Sequence, residues 1–221
     1  MAGEALIPPA LVRFGPVVIT ATVGYTLVAS GVVTGFALLA RWGLRNGPTG
    51  WAIAAEFLVE HLEGVMHDMF GRDARPFVPL VATLALFVGA ANLLGLFPGM
   101  KSPTADFSTT AALAAVVFLA APFYGIRENG LKGYLKHYLE PTPLLLPLEI
   151  ISELSRTVAL AVRLFGNIVS EELVIAVLLA IAGLLVPVPI MMLAVLTGVV
   201  QAYIFAILTA VYLSAAVRAA K

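Results

Sequence analysis

Apolar residues run in long stretches along this chain, and the way polar residues interrupt each stretch separates spanning helices from one that lies flat. The stretches at about 17–41, 77–97 and 108–126 carry almost no charge. At 1.5 Å per residue each comes close to or exceeds the ~30 Å hydrocarbon core of a bilayer, so each is predicted to span it. Gly24, Gly31 and Gly35 in the first are four to seven residues apart, a spacing that allows close helix packing. Residues 51–70 differ: Glu56, Glu60, Glu63 and His67 recur at helical spacing on one face, opposite Phe57, Leu58, Val65, Met66 and Met69. That pattern predicts an amphipathic helix lying on the membrane or against a partner. The stretch 144–185 has 42 residues, about 63 Å as a helix and roughly twice the bilayer core. A helix of that length must tilt strongly, bend or project. Val186-Pro187-Val188-Pro189 then turns the chain, and 190–217 returns it as a fifth embedded helix.

Composition narrows the class. The chain is 61% hydrophobic and 12% charged, against about 25% charged in soluble domains. An all-α, multi-pass membrane protein forming one membrane domain over residues 1–221 is expected. Net charge is zero and no basic tract occurs, which argues against a nucleic-acid partner. With no cysteine there is no disulfide, thiolate metal site or cysteine nucleophile. His61, His67 and His137 make no metal-ligand pattern, and there is no glycine-rich nucleotide loop, so neither a metal nor a cofactor is expected. Residues 1–16 read as a short leader into the first span and not as a removable signal. Segments 41–76, 127–140 and 218–221 hold nine of the 13 Lys and Arg residues. By the positive-inside rule they are cytoplasmic, with the amino terminus outside and the carboxyl terminus inside.

The 144–185 stretch also holds the residues hardest to explain. Glu149, Glu153, Arg156, Arg163, Asn167, Glu171 and Glu172 all fall within it, although one charge near the bilayer centre costs about 2.5–3.5 kcal/mol on insertion scales. At 100° per residue, Arg156 and Arg163 lie within about 20° of each other, and Glu149, Asn167 and Ser170 within about 40° of the same line. Glu153 and Glu171 sit about 80° away and Glu172 on the opposite side. The expectation is a polar seam on one helix, with one carboxylate turned away. A buried ion-pair network of Glu149, Glu153 and Arg156 holding helices in register is the plainer alternative for those three.

Arg163-Leu164-Phe165-Gly166-Asn167, followed by Glu172, resembles the signature of subunit a of F-type ATP synthases. Asn92-Leu93-Leu94-Gly95-Leu96-Phe97-Pro98-Gly99 resembles the end of that family's second span, and Ser102-Pro103-Thr104-Ala105-Asp106 its following loop. Gln201-Ala202-Tyr203-Ile204-Phe205, with Leu208-Thr209 and Val211-Tyr212-Leu213, is similar to its final helix. The likeness covers nearly all of the chain from about residue 50 onward. It implies a stator beside a rotating ring of subunit c, with subunit b of the peripheral stalk and the lipid bilayer as further partners. The protein would be non-catalytic and sit in a bacterial inner membrane. The implied fold is one transmembrane helix, an amphipathic surface helix, a transmembrane hairpin and two long tilted helices against the ring.

The resemblance also implies roles in moving H⁺. Arg163 would meet the ring carboxylate, and Gln201 would hold its guanidinium. Glu172, with Asn167 and Ser170, would line an outer half-channel that Asp106 and Asn92 extend. Glu149, Ser152 and Glu153, with Tyr212, would form the inner one. Asn92 reads equally as a helix-packing residue, and Asp106 equally as an N-cap. Many relatives carry a titratable residue seven positions before the glutamine; here that position is Ala194. A Na⁺-translocating version stays open. A secondary transporter would show inverted repeats and paired broken helices, and an intramembrane enzyme a nucleophile with a base or a metal cluster; the sequence shows none of these.

Overall fold

The computed structural model describes residues 10–14, 17–47, 49–71, 74–97, 100–139, 146–183 and 185–218. Most of the amino-terminal leader, the start of the predicted 144–185 span, and Pro98, Pro141 and Pro143 at the predicted loops lie outside them. The class is all-α. Beyond one small ribbon, the regular elements among the described residues are α1 (Ala21–Asn46), α2 (Gly50–Phe70), α3 (Val78–Leu94), a 3₁₀ turn (Pro103–Ala105), α4 (Phe107–Leu139), α5 (Leu146–Ala182) and α6 (Val188–Arg218). Four of these contain stretches long and apolar enough to cross a membrane: Ala21–Asn46, Phe107–Leu131, Pro147–Ala182 and Val188–Val217. At 17 residues α3 is shorter, about 25 Å.

Two boundaries differ from the sequence expectation. The first helix begins at Ala21 and not at 17, because Val17–Thr20 forms a strand (β2) paired antiparallel with Ala10–Phe14 (β1). Hydropathy cannot separate Val17-Val18-Ile19-Thr20 from the helix that follows, but a β-branched run favours an extended backbone. The helix predicted over 108–126 continues to Leu139, and the break comes later, at Gly130 (φ 72°, ψ 159°). Glycine takes positive φ without the Cβ penalty that other residues pay there. Just before the break, Asn129 ties α4 to the bundle, its Nδ2 donating to the Val217 carbonyl at 3.1 Å.

Helix α3 sits at the centre. Val78, Val81, Ala82, Leu84, Val88, Ala91, Asn92 and Leu94 are all buried, against α6 on one side and α1, α2 and α4 around it. Its lower part packs with Leu62, Met66 and Phe70 of α2 and Ala206, Ala210 and Leu213 of α6. Higher up, Leu84 and Val88 meet Val117 of α4, Leu160 and Leu164 of α5, and Phe205 of α6. Small residues on α6 let the backbones approach, the main way helices pack where lipid removes the hydrophobic drive. A Cβ on Gly198 would stand 3.2 Å from the Asn92 Cβ. Two of the glycines expected to serve this purpose in α1 do not: a Cβ on Gly31 or Gly35 meets nothing within 4 Å.

Candidate functional site

Helix α5 joins the bundle by a narrow stripe, with Leu160, Ala161, Leu164 and Ile168 buried. The remaining circumference is open. Arg156, Arg163, Asn167 and Ser170 are exposed on it, among apolar residues such as Val158 and Val162. Among the described residues Arg163 has no ion-pair partner. Arg156 Nη2 donates to Ser152 Oγ at 3.0 Å. The Ser170 hydroxyl turns back onto the Gly166 carbonyl at 2.6 Å. The predicted seam is therefore a surface feature of this chain.

Two polar regions lie on either side of Arg163. One gathers around Ser102. Its backbone N–H donates to Glu172 Oε1 at 3.3 Å, its hydroxyl donates to the Ala91 carbonyl at 2.9 Å, and that hydroxyl lies 2.6 Å from Thr104 Oγ1. Thr104 in turn donates to Asn92 Oδ1 at 2.7 Å, and Asn92 Nδ2 donates to the Gly198 carbonyl at 3.2 Å. Two hydroxyl protons serve three contacts, so the Ser102 and Thr104 hydroxyls share a donor between them. Asn92, Ser102 and Thr104 are all buried. The turn reaches this position because Gly95 has no side chain: a Cβ there would come within 2.8 Å of the Ser102 Cβ.

The other region is a cavity of about 180 Å³ between α4, α5 and α6, lined by Glu149, Glu153, Arg156, Thr157 and Tyr212 together with apolar residues. Arg163 lies ten residues beyond Glu153 and nine before Glu172, roughly 15 Å and 14 Å along the helix.

Between the two, α5 and α6 touch through polar side chains. Asn167 Nδ2 donates to Gln201 Oε1 at 2.8 Å. Gln201 is buried, and its Nε2 has no partner among the described residues. One turn away, the Thr197 hydroxyl donates to a carboxylate oxygen of Glu171. Gln201 thus engages Asn167, where the resemblance implied Arg163. Its carbonyl oxygen keeps a second lone pair for another donor.

Asp106 stands at the start of α4. Its Oδ1 accepts from the Ser108 backbone N–H at 2.9 Å and the Ser108 hydroxyl at 2.7 Å, the geometry of an N-cap. Partial burial works to raise its pKa, but the bonds from Ser108 and a side-chain bond from Thr22 outweigh burial, and the net shift is downward. The structure thus joins Glu172 to Asn92 through the turn, gathers Glu149, Glu153 and Tyr212 in one cavity, pairs Asn167 with Gln201, and leaves Ser152 and Ser170 in local bonds. Sequence reasoning passed over Ser102, Thr104 and Thr197 as individual residues. Thr197 had a signal, since it lies one turn from Gln201 just as Glu171 lies one turn from Asn167.

The sequence model of the ATP synthase A chain family matches residues 23–214. The chain belongs to that family. "ATP synthase subunit a 2" of Bradyrhizobium sp. is 44% identical over 220 residues, covering 98% of this chain and 97% of its own. "ATP synthase subunit a 1" of Hahella chejuensis is 46% identical over 210 residues, 95% of this chain and 89% of its own. "ATP synthase subunit a" of Moorella thermoacetica is 39% identical over 207 residues, 94% and 95% respectively. As a member of the ATP synthase A chain family, this is a membrane-embedded ion-channel subunit, non-catalytic itself, with the stator role in the complex and the c-ring as its partner.

Proposed function

We propose that this chain carries H⁺ between two half-channels that meet at Arg163, and so couples proton flow to rotation of the c-ring and to ATP synthesis on other subunits. The observation that carries this reading is the placement of Arg163, exposed and without an ion-pair partner among the described residues, between the Ser102 cluster and the Tyr212 cavity. A guanidinium stays charged at any physiological pH and lowers the pKa of a carboxylate brought beside it. A protonated ring carboxylate arriving at Arg163 releases its proton to one side, and the fixed positive charge blocks direct passage of protons from one half-channel to the other. Glu172, with Asn92, Asn167 and Ser170, serves the outer half-channel. Glu149, Glu153, Ser152 and Tyr212 serve the inner one, which opens to the cytoplasm when the amino terminus is outside. Gln201 keeps the α5–α6 contact beside the arginine. Asp106 supports the outer side by capping α4. Subunit b and lipid cover the remaining apolar surfaces, and the bacterial inner membrane is the setting. Each charge crossing 100 mV releases about 2.3 kcal/mol, so several crossings combine for each ATP.

The test is ATP-driven acidification of membrane vesicles carrying Arg163→Ala in an otherwise intact complex, in Na⁺-free buffer. Loss of acidification with the complex still assembled is expected; undiminished pumping overturns the reading. Pumping by the unaltered complex that requires Na⁺ would select the sodium version.

A further inference from the structure

Arg163, Asn167 and Glu171 recur every fourth residue and climb one side of α5. Thr197 and Gln201 do the same on α6. The two rows meet as rungs: Asn167 with Gln201 at 2.8 Å, and one turn further from Arg163, Glu171 with Thr197. Glu172, the next residue, is rotated about 100° and faces Ser102 instead. Two adjacent acids on one helix thus lead to different places, and only the row holding Glu171 runs along the α5–α6 contact to Arg163.

We propose that Glu171 is a proton-carrying acid of the path that ends at Arg163, with Thr197 as the residue that positions it. The inference rests on the transport reading above. The Glu171 carboxylate takes a proton from water, becomes a carboxylic acid, and returns to carboxylate when that proton passes through water to a carboxylate of the ring; no other bond changes. A clamp between α5 and α6 would need only an acceptor for the Thr197 hydroxyl, and a neutral amide supplies one without the cost of an ionisable group at membrane depth. Glu171 is also half-buried in the contact, with protein on one side and an open face on the other. Thr197 is fixed in turn: its hydroxyl lies 3.2 Å from the Leu193 carbonyl and 3.1 Å from that of Ala194.

Two substitutions separate carrier from clamp. Glu171→Gln keeps the length of the side chain and the acceptor for Thr197 but cannot carry a proton. Glu171→Asp keeps the acid and withdraws it by one methylene. Both are assayed for ATP-driven acidification per assembled complex, with ring co-purification as the measure of assembly and Arg163→Ala in the same preparation. A carrier predicts that Glu171→Gln loses about a hundredfold or more of the pumping rate, the lower end for a lost proton-transfer group, while Glu171→Asp keeps more. A clamp predicts the reverse order, with Glu171→Gln near the unaltered rate. The reverse order, with Arg163→Ala inactive, overturns this inference alone; pumping by Arg163→Ala overturns the transport reading and this inference with it.

Discussion

The Ser102 cluster and the Tyr212 cavity handle polar groups inside a membrane protein in opposite ways. Around Ser102, polar atoms of α3, the 3₁₀ turn, α5 and α6 are bonded to one another, and Thr104 is fully buried at 0% exposure. Around Tyr212, two carboxylates and a guanidinium line an open space, where water can solvate them. A sealed network fixes geometry, and leaving one member without its partner costs its full desolvation. An open one leaves space beside its charged groups, where a proton can pass. The buried members of the first region, Asn92, Ser102 and Thr104, therefore answer to mutation first through folding and assembly, and the second region through transport.

The sharpest way to break that contrast is at Asn92. Asn92→Leu removes the acceptor of the Thr104 hydroxyl and the side-chain bond that the Gly198 carbonyl accepts in addition to its helix bond. At about 1–3 kcal/mol for one buried polar group that loses its partner, and less where membrane-embedded groups find substitutes, a loss of about 1–3 kcal/mol is expected. Yield of the assembled complex and its thermal midpoint in detergent would fall together. Normal yield and midpoint would mean that the cluster does not hold the helices.

Much of this architecture was legible in the sequence, for identifiable reasons. Hydropathy and length mark α5 and α6 as over-long, and the 100° rotation per residue turns Glu172 away from Arg163. What each acid meets was not legible. Ser102 and Glu172 are 70 residues apart, and Asn92 and Gly198 are 106 apart; no local pattern carries such pairings. The β1–β2 ribbon escaped because Val17–Thr20 is as apolar as the helix after it, although its β-branched run was a visible signal. The continuation of α4 past 126 escaped because hydropathy ends the span where Arg127, Glu128 and Lys132 bring charge. Ser102 and Thr104 were recognised only as part of a loop motif, since a hydroxyl gains meaning from the partner the fold brings to it.

On the cavity side, the combined Glu149→Gln and Glu153→Gln variant sharpens the comparison. Transport should fall about a hundredfold, the lower end for a lost proton-transfer group. The thermal midpoint should stay close to that of the unaltered complex, because glutamine keeps the side-chain length and a carbonyl acceptor for the bonds these carboxylates make. The two readouts are acidification rate per complex and midpoint. A midpoint drop as large as that of Asn92→Leu would make these acids a structural ion-pair network, the plainer alternative weighed from the sequence.

The smallest effect is expected at Asp106, which separates capping from proton carriage at the edge of the sealed region. Removing the cap with Asp106→Ala should cost about 1 kcal/mol near neutral pH, while Asp106→Asn keeps an acceptor for Ser108 and should cost less. The direction of pH dependence follows from the lowered pKa of the folded state. Stabilisation from the ionised carboxylate is fully present above the unfolded value, about pH 3.9 for Asp, and is lost as pH falls through the lower folded value. The stability gap between the unaltered complex and Asp106→Ala should thus narrow between pH 7 and pH 3, as read from denaturation midpoints. Pumping per assembled complex should be unchanged in Asp106→Asn if the residue only caps α4. A severalfold loss of pumping in that variant, with its midpoint intact, would move Asp106 from the frame of the outer half-channel into its path.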